Sequence, residues 1–362
     1  MLDLLYRTLE ASISLLNGAS AWLVFSFVLA GLLHNILKPE KLQQMLGDKS
    51  LSSLVKATLS GMLLPICSCG VIPLGLGLYY SGAYLGPTLA FMCATPIINP
   101  AAVLLAFGLL GPKIASIYLI AGFMVPIILG LLGNKLGGSE LFVPGSGNAM
   151  INVFEESMQQ KPNLLQQLWS GLQWGFKDLG IVVSKYVLLG MLLAGLITAA
   201  VPPEFFQHYL GNPGIISIGG IALLGTVMYV CAVGHIPFIA ALVASGAAPG
   251  VAITFLMTGA ATNLPELISI YKLIGKRTVL IYSTGTVGLS ILIGYLTNKL
   301  LPDFKPFIDF ERNQQFVGAA NKVILATPEY LSMACSLIIL LLGVYAIWPR
   351  IKPVFAKISE AI

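Results

Sequence analysis

Charged residues are scarce in this 362-residue chain: Asp, Glu, Lys and Arg together make up 10% of it, whereas 57% is hydrophobic. So few charges cannot cover the surface of a water-soluble domain. The mean hydropathy of +0.88 agrees with this conclusion. The composition therefore excludes an ordinary soluble protein and predicts an all-α integral membrane protein.

Several catalytic signatures are missing as well. The sequence has no Gly-Lys-Ser/Thr phosphate-binding loop, which argues against an ATPase site in this chain. None of its five cysteines forms a Cys-x-x-Cys pair, the arrangement typical of redox enzymes. The net charge of +5 comes from basic residues scattered singly between apolar segments, a pattern that does not favour a nucleic-acid partner. We therefore expect a protein that is not an enzyme and needs no cofactor.

Nine apolar stretches are close to the ~20 residues that a helix needs to cross a lipid bilayer. They cover residues 18–37, 57–80, 86–108, 112–133, 180–201, 214–244, 250–271, 278–297 and 330–348. The residues before the first stretch predict a short amphipathic lead helix without a cleavable signal. We therefore expect a multi-pass protein.

The sequence is internally repeated. With a shift of 164 positions, residues 20–136 match residues 184–300 without an insertion or deletion, and 34 of the 117 aligned positions are identical. Duplicated membrane units are typical of secondary transporters, whose substrate sites lie between the two copies. The predicted organisation is a lead at 1–19, a first membrane repeat at 20–136, a linker with an interfacial amphipathic helix at 137–183, a second repeat at 184–300, a loop at 301–329, and an extra helix with a basic tail at 330–362.

The basic residues favour opposite orientations for the two copies, because Lys and Arg concentrate in cytoplasmic loops. The loop at 38–56 holds four lysines, whereas its counterpart at 202–220 holds none. An inverted arrangement puts 14 of the 20 basic residues in the cytoplasm, against 11 for a parallel arrangement. Inversion requires an odd number of crossings in each copy, so one of the segments 57–80 and 86–108 should be re-entrant.

Helix breakers are concentrated in these middle segments and in their counterparts in the second copy. They are Pro65, Gly70, Pro73, Pro96, Pro100, Gly234, Pro237 and Pro265. Broken backbone at membrane depth is tolerated only where it is buried in protein or lines a cavity. We therefore expect the substrate site and its hinges at these breaks.

Three cysteines coincide with the breakers. Cys67 and Cys69 lie on either side of Ser68, and Cys231 stands at the position of the second copy that is equivalent to Cys67. With His235 nearby, the thiols would form a soft site suited to trivalent metalloids, Cu(I) or Zn(II). The alternative is packing, because free cysteine is a common apolar filler of protein interiors.

Further polar side chains within the apolar segments are candidates for the pore or for ion coupling. They are Ser68, Cys93, Thr95, Asn99, Asn263 and Glu266. Asn99 and Asn263 either cap half-helices or contact substrate. Glu266 is either an intramembrane proton carrier or a solvated residue at the bilayer edge near Lys272.

These residues also carry a resemblance to a known family. The motifs Cys67-Ser68-Cys69-Gly70, Ala94-Thr95-Pro96, Asn99-Pro100 and Ala261-Thr262-Asn263-Leu264-Pro265 resemble the predicted-permease family that includes the trivalent arsenical efflux permeases. The resemblance implies an efflux permease of the prokaryotic inner membrane, with branches that export organoarsenicals or arsenite and branches that export copper or zinc. Asn99-Pro100 stands where the copper and zinc branch is expected to carry an acidic segment, which favours a metalloid.

Three functions stay open at this point. The first is export of trivalent arsenic through Cys67, Cys69 and Cys231, with protons as the coupling ion. The second is export of Cu(I) or Zn(II) with His235 as an added ligand. The third is a membrane thiol–disulfide oxidoreductase that uses a Cys67–Cys231 disulfide, against which the missing Cys-x-x-Cys pair counts. Association into a homo-oligomer is compatible with all three.

Overall fold

The chain forms helices and no strands in the part described by the computed structural model. That part comprises residues 2–36, 48–64, 68–80, 82–142, 164–200, 215–227, 232, 235–236, 239–240, 243, 247–302 and 328–359. Its all-α class is as predicted from composition.

The helices are numbered here in chain order. They are α1 (Leu2–Ile36), α2 (Leu51–Leu63), α3 (Ser68–Tyr80), α4 (Leu85–Ile97), α5 (Pro100–Leu105), α6 (Gly111–Leu136), α7 (Leu164–Gln173), α8 (Ile181–Ala200), α9 (Ile215–Val227), α10 (Pro249–Ala261), α11 (Leu264–Leu273), α12 (Lys276–Leu300) and α13 (Glu329–Ser359). The π-helical segments Ala106–Leu110 and Trp174–Gly180 join α5 to α6 and α7 to α8.

Apolar length identifies a membrane protein. Among the described residues, Leu5–Leu32, Pro100–Leu136 and Lys276–Leu300 are each long and apolar enough to cross a bilayer. Helices α10 and α11 pass the same test together, with a bend of 43° between them. Of the other apolar stretches predicted from sequence, 57–80 and 86–108 are divided between shorter helices, whereas 180–201 and 330–348 correspond to the continuous helices α8 and α13.

The helix boundaries repeat at the same shift as the sequence. α2 and α9 begin and end 164 positions apart, as do α4 and α10. α5 and α11 begin at Pro100 and Leu264, again 164 apart, and α6 and α12 end at equivalent positions. The two copies therefore place their helix ends and their breaks alike.

The internal packing is also repeated. The N–H groups of Gly86 and Gly250 donate hydrogen bonds of 3.0 and 2.7 Å to Asn134 Oδ1 and Asn298 Oδ1. These are the same two positions in each copy. Close approach of α4 to α6 and of α10 to α12 depends on glycine at both contacts, since side chains there would separate the helices.

α1 packs against α7 and α8 with the opposite chain direction. A β-carbon at Gly31, near the end of α1, would collide with the carbonyl oxygen of Gly171 in α7. Near the end of α8, a β-carbon at Gly195 would lie 2.9 Å from Thr8 O and 3.0 Å from Ser12 N, close to the start of α1. α1 and α8, which lie at equivalent positions of the two copies, are thus antiparallel.

The second such pair is α6 with α12. A β-carbon at Gly285 would lie 2.7 Å from Leu129 Cδ1, and the Glu140 carboxylate, just beyond the end of α6, accepts hydrogen bonds at the start of α12. The end of α6 therefore meets the beginning of α12, and these helices are antiparallel as well.

The predicted lead helix and interfacial helix fall within longer helical elements. α1 runs without a break from Leu2 to Ile36, so the lead and the first apolar stretch are one element. α7 continues through the π-helical segment into α8 and packs on α1 at Gly171. The glycine contact between α1 and α7 places α7 against α1.

The C-terminal helix α13 packs against α1 and α8. The Ser336 hydroxyl donates a 2.6 Å hydrogen bond to Asn17 Oδ1, and the Ser20 hydroxyl donates one of 2.9 Å to Ser332 O. Polar contacts between apolar helices hold α13 in one register on α1.

Candidate functional site

The second copy contains a break between α10 and α11 that is buried within the protein. α10 ends at Ala261 and α11 begins at Leu264, with Asn263 as its N-cap. Asn263 Oδ1 accepts a 3.2 Å hydrogen bond from the N–H of Glu266, and Pro265 suits the first turn because that turn needs no N–H donor from it. The local sequence therefore ends one helix and starts another in the protein interior.

Glu266 is the chemically distinctive residue of this break. Its side chain is fully buried, so the interpretation of a solvated residue at the bilayer edge is wrong. Glu266 Oε1 accepts a 2.8 Å hydrogen bond from the hydroxyl of Tyr282 in α12, and Oε2 accepts one of 3.3 Å from Asn263 Nδ2. Both partners are neutral, so they orient the carboxyl group without supplying a compensating charge.

The first copy has the same break without the acid. Asn99 Oδ1 accepts a 2.8 Å hydrogen bond from the N–H of Ala102, the residue equivalent to Glu266. Tyr118, equivalent to Tyr282, donates to the carbonyl oxygen of Ile97 instead of to a carboxylate. Asn99 and Asn263 thus both cap half-helices, as one of the two interpretations predicted, and only the second of these two breaks has a carboxyl group.

Tyr282 is a site residue that the sequence reasoning did not select. The signal was present, since Tyr118 and Tyr282 are an identical pair in the aligned copies. Both are among the largest fully buried side chains of the described residues. Identity alone did not distinguish a hydrogen-bonding tyrosine from a packing one.

Cys93 of the first copy lies next to this site in the second copy. It lies in α4 of the first copy, is fully buried, and interacts electrostatically with Glu266 and Tyr282 of the second copy. Its thiol also lies against the hydroxyl of Thr286, one turn after Tyr282 in α12. We call Glu266, Tyr282, Cys93 and Thr286 the Glu266 cluster. α4 packs against its counterpart α10, so this cluster borders the contact between the copies.

The structure describes only part of the predicted thiol site. Cys67 and Cys231 lie outside the described residues, together with Pro65, Gly234 and Pro237.

Cys69 is the second residue of α3, directly after Ser68, and its backbone is helical. His235 is half-buried and helical, with its ring centroid 6.2 Å from that of Phe255 in α10. Among the described residues, no group of three or more His, Cys, Asp or Glu side chains is placed to hold a metal ion.

The remaining predicted residues have defined positions. The Thr95 hydroxyl donates a 2.7 Å hydrogen bond to Phe91 O of its own helix, and Gly70 is buried in α3. Pro73 and Pro96 lie inside α3 and α4, whereas Pro100 occupies the first turn of α5. Both middle segments are broken, since 57–80 divides between α2 and α3 and 86–108 divides after Ile97.

An all-helical membrane protein with matched helix breaks and a buried carboxyl group between its copies has the features of a solute permease. The comparison with protein families agrees. Residues 5–299 match the family model ArsP_1, described as predicted permease, and the chain belongs to that family.

Relatives from distant organisms match most of the chain. It is similar to the UPF0718 protein MJ0584 of Methanocaldococcus jannaschii, with 25% identity over 77% of this chain and 91% of the relative. It is also similar to the UPF0718 protein YcgR of Bacillus subtilis, with 24% identity over 79% of this chain and 95% of the relative. A third relative, from Streptococcus mutans, is named as a candidate subunit of a two-component membrane permease complex and is 22% identical over 79% of this chain and 93% of its own length. No solved structure matches the chain.

Proposed function

We propose that this chain is a multi-pass permease of the prokaryotic inner membrane that exports a thiophilic solute, most specifically trivalent arsenic. Membership of the predicted-permease family supports transport as its general activity. The observation that carries the proposal is the pair of matched helix breaks, of which the second contains Glu266. Broken helices with capped half-helices are the structures around which transporters bind substrate and coupling ions.

Alternating access follows from an inverted arrangement of the copies. Two pairs of equivalent elements support it, since α1 runs antiparallel to α7 and α8, and α6 runs antiparallel to α12. Equivalent helices that run in opposite directions are related by a two-fold axis perpendicular to them. If those helices cross the bilayer, the axis lies in the membrane plane, and rocking of one copy against the other opens the centre to either side.

The substrate class is argued from the thiols. Cys69 is the second residue of α3, and Cys67 and Cys231 are equivalent in the two copies. Thiolates favour soft acceptors such as trivalent arsenic over hard cations. Cys67, Cys69 and Cys231 would together supply three sulfur ligands, with His235 available where the substrate is a metal ion.

Glu266 is proposed as the proton carrier of this permease. Burying an ionised carboxyl group with only neutral partners is costly, whereas a proton removes that cost. The Glu266 cluster borders α4 and α10, the equivalent helices that meet between the copies. A change in its protonation would therefore alter the contact that rocking has to rearrange.

The test is a binding measurement on the full chain purified in detergent. Phenylarsine oxide, arsenite, Cu(I) and Zn(II) are titrated against wild type and against Cys67→Ser, Cys69→Ser and Cys231→Ser. Cys335→Ser is the matched control, because Cys335 is a buried cysteine in α13, away from both breaks. We expect one trivalent arsenical per chain, weakened by each of the three substitutions and unaffected by the control. Active export is then measured as arsenical accumulation in inverted vesicles.

Each alternative has its own outcome. Preferential binding of Cu(I) or Zn(II), weakened by His235→Ala, would replace the metalloid with a metal ion. Binding that survives Cys231→Ser would overturn the three-thiol site. A disulfide between Cys67 and Cys231 that passes electrons to an added dithiol would support the oxidoreductase instead.

A further inference from the structure

The buried face of α12 carries hydroxyl groups along almost its whole length. Its buried residues include Thr278, Tyr282, Thr286, Ser290 and Thr297, whereas leucines such as Leu280, Leu292, Leu296 and Leu300 are exposed. We call the five buried residues the hydroxyl stripe. From its first to its last residue it rises about 28 Å at 1.5 Å per residue, close to the ~30 Å of a hydrocarbon core.

The stripe belongs to the second copy only. Tyr282 is matched by Tyr118, but Thr278, Thr286, Ser290 and Thr297 stand opposite Ile114, Gly122, Pro126 and Gly133 of α6. Packing of α6 and α12 alone would favour the same small or apolar residues in both copies. The copy that contains Glu266 is thus also the one with the hydroxyls.

Most buried hydroxyls near the stripe have ordinary structural partners. The Thr297 hydroxyl donates to Ile293 O at 2.7 Å, and those of Thr254 and Thr258 donate to carbonyl oxygens of α10 at 2.8 Å. The Thr278 hydroxyl donates to Glu140 Oε2 at 2.6 Å. These bonds satisfy the side chains without a ligand.

Thr286 and Ser290 are the exceptions within the stripe. Both are fully buried, and neither hydroxyl makes a hydrogen bond of good geometry with any described residue, although the Cys93 thiol lies beside Thr286. Leaving a buried hydroxyl without a hydrogen-bond partner is unfavourable, and a small hydrogen-bonding ligand would remove that penalty. Thr286 and Ser290 are the next two members of the hydroxyl stripe after Tyr282, the partner of Glu266.

The four-residue spacing from Thr278 to Ser290 suits water as that ligand. Residues four apart on a helix have β-carbons about 5–6 Å apart, which is too far for a direct hydrogen bond between hydroxyls. One water molecule between neighbours can bridge that gap. A hydroxyl–water chain then passes a proton by breaking one O–H bond and forming another at each step, and needs no further reactant.

We propose that Thr286 and Ser290 form, with intervening water, the route by which protons reach Glu266 from the C-terminal half of α12. The inference rests on the proposed role of Glu266 as proton carrier and adds the path. The other titratable groups at this point are Tyr282 and Cys93. Access from the opposite end would run through Thr278 and Glu140.

The test is the hydrogen–deuterium exchange of the Glu266 carboxyl group, followed by infrared spectroscopy of the full chain in lipid vesicles. The infrared band of the Glu266 carboxyl group is assigned by its loss in Glu266→Gln. Thr286→Val and Ser290→Ala remove the hydroxyls at little change of volume, singly and together. Thr88→Val is the matched control, because Thr88 is a buried threonine whose hydroxyl donates to Tyr84 O of the first copy.

We expect the double variant to slow exchange about tenfold or more, with the control at the wild-type rate. An unchanged exchange rate in the double variant would overturn the proposed route. The route would also be overturned if Thr278→Val slowed exchange and the double variant did not, because protons would then reach Glu266 from the Glu140 end. A wild-type spectrum without a band that Glu266→Gln removes would instead contradict Glu266 as the carrier. No thiophilic substrate is present, so the thiol site is not at issue in this experiment.

Discussion

Tyr282 and Glu266 form a fully buried pair in which the tyrosine hydroxyl donates a 2.8 Å hydrogen bond to Glu266 Oε1. The pair joins α12 to the first turn of α11, directly after the break of the second copy. Its counterpart in the first copy, Tyr118, donates to a backbone carbonyl oxygen at the break. One tyrosine position thus has a structural partner in one copy and an ionisable partner in the other.

Tyr282→Phe tests whether that difference has a function. Each of Tyr282→Phe and Tyr118→Phe loses one buried hydrogen bond, so both should lower the free energy of unfolding by about 1–3 kcal/mol. Only Tyr282→Phe should also slow substrate export, because only it disturbs Glu266. Thermal unfolding in detergent and export by vesicles measure the two effects. Equal loss of export in the two variants would reduce Tyr282 to a packing role.

The two helix caps should contribute unequally. Asn99→Ala removes an N-cap hydrogen bond to the Ala102 N–H and should cost about 1 kcal/mol. Asn263→Ala removes the corresponding cap and also the hydrogen bond from Asn263 Nδ2 to Glu266, so a loss of about 2–3 kcal/mol is expected. Chemical unfolding of the two variants in one detergent measures the difference. A cost for Asn99→Ala that equals or exceeds that for Asn263→Ala would contradict the role of Asn263 in holding Glu266.

The breaks themselves could be predicted from the sequence. Pro100 and Pro265 disfavour continuous helices at positions where both copies also have an asparagine, a preferred N-cap residue. Because the repeat has no insertion, a break predicted in one copy predicts its position in the other. The helix ends, 164 residues apart, agree with that reasoning.

Side-chain partners and helix continuity could not be predicted in the same way. The sequence is compatible with a buried and with a solvated Glu266 side chain. The hydrogen bond from Tyr282, 16 residues later, distinguishes the two environments. The joining of α7 to α8 depends on the π-helical segment Trp174–Gly180, and π-helical turns have no strong local sequence signature. The contact of Cys93 with the second copy is set by how the copies pack, which hydrophobic periodicity does not describe.

Gly294 tests the close approach of α10 to α12. A β-carbon there would collide with Thr254 Oγ1 and lie 2.7 Å from Gly250 O, so Gly294→Ala should destabilise the protein by about 1–3 kcal/mol. Gly288→Ala is the control on the same helix, since a β-carbon at that exposed position meets nothing within 4 Å. The control should be neutral or slightly stabilising, because alanine favours helix more than glycine does. Comparable melting temperatures for the two variants would refute the predicted close contact.

Glu140 links the copies at one end of the α6 and α12 pair. Its Oε2 accepts 2.6 Å hydrogen bonds from the N–H and the hydroxyl of Thr278, and Oε1 accepts one of 3.2 Å from the N–H of Arg277. A carboxylate at the start of a helix satisfies free N–H groups and interacts favourably with the helix dipole. A residue that closely follows the first copy thus caps the last helix of the second copy.

Glu140→Ala should therefore lower stability by about 1–2 kcal/mol, the usual cost of losing an N-cap. Glu140→Gln retains an oxygen acceptor but removes the charge, so it should lose only part of that stability. Thr278→Val removes the hydroxyl partner and leaves the backbone N–H bonds, and its effect combined with Glu140→Ala should be less than the sum of the two because they share a hydrogen bond. Unfolding of the four-membered set of wild type, both single variants and the double variant gives the coupling free energy directly. Full additivity would mean that Glu140 and the Thr278 hydroxyl act independently, so that Glu140 stabilises this contact through the backbone N–H groups and not through the hydroxyl.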